Sequence, residues 1–99
     1  MALELFISRR APREIDRVAG WWAANRPAVP GAVLKDLAAA FALLVEQPGM
    51  GGEVKQASSP DIRRFHVDRL HYWVYYRVRG KRLEVVSVWH SNRGTGPSV

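Results

Sequence analysis

The chain has no cysteine, which excludes disulfides and thiolate metal sites. It also has no long hydrophobic run. The longest, Leu37 to Val45, falls well short of the roughly 20 apolar residues that cross a bilayer. No basic segment, long apolar stretch and cleavage site follow Met1, so export is not expected and the cytoplasm is the expected location. Three histidines at positions 66, 71 and 90 do not form a ligand motif, so neither a metal nor a cofactor is expected. A phosphate-binding loop is missing too, because Gly49-Met50-Gly51-Gly52 follows a helical pattern rather than opening one.

Acidic residues are scarce in one region. The net charge of +6 is not spread evenly along the 99 residues. Residues 1–62 hold seven basic and seven acidic side chains. Residues 63–99 hold eight basic ones (Arg63, Arg64, Arg69, Arg77, Arg79, Lys81, Arg82, Arg93) against Asp68 and Glu84. All the excess therefore lies among the aromatics and histidines of the last third. Such a field attracts phosphate-rich or acidic partners, and its plainer role is a solvated rim that keeps a small protein in solution.

A chain of this length has room for one domain with one modest core. Leu3-Glu4-Leu5-Phe6-Ile7 reads as a short strand with Leu3, Leu5 and Ile7 on one face. Ser8 then offers a helix N-cap, and Pro12 suits a first helical turn, where its missing donor costs little. Ile15, Val18, Ala19 and Trp22 recur at helical spacing as far as about Asn25. Breakers fill positions 26–31. A second helix carries Val33 or Leu34, then Leu37, Phe41 and Leu44, and stops at Pro48-Gly49. Gly49 to Pro60 reads as a loop.

Three strand-like runs follow: Ile62–Val67, Leu70–Arg79 and Arg82–His90. Arg79-Gly80-Lys81 is a tight connection that should pair the last two as a hairpin. Val85-Val86 and Val88-Trp89 are apolar on both parities, which suggests a bulge or a strand buried on both sides. Residues 93–99 read as a mobile tail. The expected fold is α+β in the order β-αα-βββ, a small mainly antiparallel sheet packed on a helical hairpin.

This arrangement resembles the RelE/ParE toxin family. The resemblance is carried by the Ser8-led helix and by the helix ending Glu46-Gln47-Pro48-Gly49-Met50-Gly51. It continues in the Arg63-Arg64-Phe65, Tyr75-Tyr76-Arg77-Val78 and Val85-Val86-Ser87-Val88-Trp89-His90 strands, and it covers roughly Leu3 to Arg93. It implies growth inhibition of the host cell, neutralisation by a cognate antitoxin, and oligomers formed through that antitoxin, with no membrane partner. RelE-like members cut messenger RNA on the ribosome. ParE-like members poison DNA gyrase and are not thought to be enzymes.

A nuclease needs an acid, a base and cations around the phosphorane. His90 is the candidate base, with Glu53 and Arg64 completing a set that resembles YoeB-like members. The plainer role for His90 is a structural hydrogen bond, and for Glu53 a solvated charge. Only Lys55 lies near the loop where RelE relies on more lysines, and no tyrosine follows His90. His90 and Arg93 at the chain's end match the ParE spacing, although Gly94 replaces the usual acidic residue. Arg63, Arg64, Arg77 and Arg93 are the candidate target or phosphate contacts. The ParE-like reading departs less from the pattern and is the expected one. A third reading is a basic nucleic-acid-binding module without toxicity. For the antitoxin, the candidate contacts are Arg10, Arg13, Arg17 and Trp21, offered to an acidic, partly helical segment.

Overall fold

The computed structural model describes residues 2–25, 31–54, 61–67 and 71–90, with residues 21–25, 32 and 90 described by their backbone only. The elements run β1 Glu4–Ile7, α1 Ala11–Asn25, α2 Ala32–Glu46, β2 Gly52–Glu53, β3 Arg63–Val67, β4 Tyr72–Arg79 and β5 Arg82–His90. The five strands form one sheet in the order β1-β5-β4-β3-β2. Three of its pairings are antiparallel, and β1 lies parallel to β5. This is the expected α+β fold, with one strand more than the periodicity reveals. Gly52 and Glu53 pair with Arg64 and Arg63 inside the stretch read as a loop. A two-residue strand is too short to leave a period-2 pattern.

Both helices carry their apolar stripes into one core. Val33, Leu37, Ala40, Phe41 and Leu44 of α2 are buried with Ala11 and Val18 of α1. Leu34 is 61% exposed, so Val33 and not Leu34 begins the α2 stripe. The sheet contributes Val67, Val74, Tyr76, Leu83, Val85 and Val88 to this cluster, with Phe65, Tyr72, Leu3 and Ile7 packed against it. Each fully buried large aliphatic side chain contributes about 1.5–3 kcal/mol. Leu5, on the edge strand, remains 47% exposed.

A bulge interrupts the β4–β5 ladder. Tyr75 faces Ser87 and Tyr76 faces Val85, leaving Val86 as the extra residue. That is why Val85 and Val88, three apart, both reach the core, and it accounts for apolar residues on both parities. Beyond the bulge β5 has outrun β1, whose last pair is Ile7 with Val85. Side chains take over there. The Ser8 hydroxyl donates to the Val86 carbonyl at 2.9 Å, and the Ser8 amide donates to Val85 O at 2.9 Å. Ser8 therefore serves the sheet rather than capping α1, which starts three residues later.

The β4–β5 turn is the expected tight one. Arg79 pairs with Arg82, and Gly80 between them has φ 60°. A positive φ at the first central position is the pattern of a type II′ turn, which suits the strand twist and favours glycine.

Candidate functional site

Side chains alternate along β4, so Trp73, Tyr75, Arg77 and Arg79 point away from the helices. Register brings neighbours to the same side: His66 opposite Trp73, Arg64 opposite Tyr75 and Trp89 opposite Trp73. The Arg64 guanidinium carbon lies 4.0 Å from the centre of the Trp73 ring. The His66 ring centroid is 4.6 Å from that of Trp73, tilted by 54°. Contact of this kind holds a guanidinium plane in place while leaving its donors available.

Of the carboxylates on this side, Glu84 and Asp61 are engaged, while Glu4 at the β1 edge, in register with Arg82, is exposed. Glu84 Oε1 accepts from Arg77 Nε at 3.1 Å and from Nη2 at 2.8 Å. Asp61 lies 3.3 Å from Arg79. Arg82 sits 4.9 Å over the Phe6 ring. Arg64 has no carboxylate partner among the described residues.

Arg63 points to the helix side. Its Nη1 donates to Gly51 O at 2.7 Å. Nearby, the buried Tyr76 hydroxyl accepts from the Gly51 amide at 2.9 Å and donates to Pro48 O at 2.6 Å. Burial pushes the Tyr76 phenol above its ordinary value of 10.0, opposed by the Gly51 amide and by the charge of Arg63. Arg63 and Arg64, adjacent in sequence, thus serve opposite sides of the sheet.

Glu53 is exposed and registers with Arg63, so it does not share a side with Arg64. His90 ends β5 in register with Tyr72, while Arg64 registers with Tyr75. Three residues of β4 separate those positions, roughly 10 Å along the strand. The structure therefore does not gather Glu53 and Arg64 into one cluster. The His90 side chain, Arg93, Lys55 and the tail 93–99 lie outside the described residues.

Arg9 and Arg10, just before α1, line one concavity with Arg13, Glu14 and Arg17 of that helix. The Trp21 and Trp22 side chains are outside the description. Arg10 reaches Glu14 at 3.4 Å, whereas Arg9, Arg13 and Arg17 have no ion-pair partner among the described residues. Glu14 itself is turned inward. Its Oε2 accepts from the Ser87 hydroxyl at 3.1 Å, and its Oε1 accepts from the Val88 amide at 3.1 Å. Sequence reasoning missed this residue, because an acid between arginines on a helix reads as a surface charge. Among the described residues no group of three side chains could hold a metal, and no helix is long and apolar enough to cross a membrane.

Solved structures share this architecture. A chain of the chromosomal ParDE TA system from P. aeruginosa matches with a TM-score of 0.70 and 18% identity, over 90% of this chain and 96% of that one. The E. coli toxin RelE, as a double arginine-to-alanine mutant in the free state, matches at 0.67 and 19%, over 93% and 86%. A chain of the E. coli DinJ-YafQ toxin-antitoxin complex matches at 0.65 and 15%, over 97% and 100%. None of the curated proteins matches in sequence. Two helices on a five-stranded mixed sheet thus make a RelE/ParE-like fold. The family model described as "ParE toxin of type II toxin-antitoxin system, parDE" matches residues 5–94, and the chain belongs to that family.

Proposed function

We propose that this toxin stops growth in the cytoplasm by poisoning DNA gyrase, trapping its cleaved complex with DNA, and that a cognate antitoxin silences it. The observation that carries this reading is the separation of Glu53 from Arg64. A poison needs a fitting surface, whereas a nuclease needs acid, base and phosphate clamp around one phosphate. The family match favours the same side.

A second reading, a ribosome-dependent messenger endonuclease, has one observation in its favour. Arg64 and His66 flank the same Trp73 ring, which puts a cation and a titratable imidazole on one face. The two readings separate in purified components. Adding the protein to gyrase with supercoiled plasmid should accumulate cleaved plasmid, and programmed ribosomes should keep their messenger intact. Glu53→Ala should leave growth inhibition unchanged. Messenger cut only in the presence of ribosomes would establish the nuclease instead. Silence in both assays would leave a non-toxic nucleic-acid-binding module.

A further inference from the structure

We propose that Arg64, held over the Trp73 ring, is a stacking seat for an unpaired DNA base, so that the toxin grips single-stranded DNA directly. The inference deepens the gyrase reading and rests on it: in a trapped cleaved complex the toxin would hold DNA as well as protein. It starts from the geometry of one pair. The Trp73 ring, its centre 4.0 Å from the Arg64 guanidinium carbon, covers the cation from one side. The guanidinium's other face is weakly hydrated, flat and cationic, which suits a base stacked upon it with a phosphate at its edge.

Charge complementarity selects the occupant. The two carboxylates nearest this surface, Glu84 and Asp61, are bound by Arg77 and Arg79. The two other cations, Arg64 and Arg82, rest on aromatic rings, Trp73 and Phe6. Arginine–aromatic pairs on one sheet face, with Glu84 and Asp61 neutralised between them and Glu4 set apart on the far β1 edge, describe a surface for a ligand that is both aromatic and anionic. An acidic peptide supplies the anion but not the flat rings. Stacked duplex DNA supplies both, but its base faces are closed off. A single strand supplies both and leaves its bases open. His66, tilted against Trp73, and Trp89, across from it in β5, border the seat.

The test titrates the whole protein with a short labelled oligodeoxythymidylate, read by anisotropy and by tryptophan fluorescence. Saturable binding with quenching is expected, weakening as salt rises. Arg64→Lys keeps the charge and removes the planar stack, so affinity should fall about tenfold with the melting temperature unchanged. Trp73→Phe, which narrows the platform, should fall by less. Three outcomes overturn the proposal: no saturable binding at low salt, Arg64→Lys binding as tightly as the wild type, or preference for a duplex or an RNA strand of the same sequence. The gyrase assay keeps the two readings apart. Gyrase poisoning by a protein that binds no oligonucleotide sinks this inference and spares the proposed function. Oligonucleotide binding without poisoning does the reverse for the proposed function.

Discussion

Glu14 and Ser87 are 73 residues apart in the chain and 3.1 Å apart in the fold. The contact sits where β1 has ended and β5 continues past its bulge. There the Glu14 carboxylate takes the Ser87 hydroxyl with one oxygen and the Val88 amide with the other. One side chain from a helix does what the next residue pair of β1 would have done, and it ties α1 to the sheet.

Glu14→Ala removes the acceptor of a fully buried hydroxyl and of a strand amide. Orphaned buried donors cost about 1–3 kcal/mol each, so the loss should be at least about 2 kcal/mol, or roughly 8–16 °C in Tm for a chain this size. Glu14→Gln keeps an acceptor oxygen and should lose about half as much. Thermal and urea unfolding of the two variants checks the order. Equal losses would mean that the contact is incidental.

Gly51 is required by a close approach rather than by its backbone angles, since φ is −77°. A Cβ there would meet the Tyr76 hydroxyl, the Tyr76 ring at 2.7 Å and the Arg64 carbonyl at 2.8 Å. Gly51→Ala should cost about 1–3 kcal/mol through overpacking. Tyr76→Phe should cost a similar amount by leaving the Gly51 amide unpaired. Combined, the two substitutions should cost less than their sum, because the Phe ring no longer carries the hydroxyl that the new methyl meets. Strict additivity in a double-mutant cycle would refute this account.

Tyr76 should also shape the alkaline limb of stability. Its folded pKa lies above the unfolded value of 10.0, so the native chain holds the proton where the unfolded chain has released it. The contribution is complete below the unfolded pKa and is lost as pH rises toward the folded one. Unfolding free energies between about pH 9 and 11 should fall more steeply for the wild type than for Tyr76→Phe. Parallel curves would show that the phenol does not titrate differently in the two states.

Arg13 and Arg17 lie one helical turn apart with like charge, an arrangement that mildly destabilises an isolated helix. An acidic antitoxin segment would relieve it. Reversing both, Arg13→Glu with Arg17→Glu, should weaken antitoxin binding on the order of tenfold at low salt and less at high salt. Tm should move little. Unchanged affinity by calorimetry would place the antitoxin elsewhere.

Much of this architecture is legible in the residues themselves. Tyr72-Trp73-Val74-Tyr75-Tyr76 announces a strand, Pro48-Gly49 a helix end, and the doubled apolar parities of Val85 to Trp89 a bulge. What is not legible depends on distant partners. Ser8 looks like a cap because its neighbours are helical, yet the carbonyl it satisfies belongs to Val86. Val33 and Leu34 fit one stripe equally well until the sheet decides between them. The candidate site divides in the same way. Arg63 and Arg64 look like one basic pair, but a strand sends adjacent side chains to opposite faces, and Glu53 follows Arg63.

The parallel pairing of β1 with β5 has a consequence for synthesis. Glu4 has no sheet partner until Arg82 exists, and Ser8 waits for Val86, 78 residues later. Contacts of such separation are slow to close, because the loop entropy must be met first. The helical hairpin can form while the chain is still emerging, but the surface holding Arg64 and Trp73 is assembled only when the last strands arrive. The helices thus reach their final form before that surface does, and an antitoxin that docks on α1, as proposed, would find its site on the chain before the sheet face is complete.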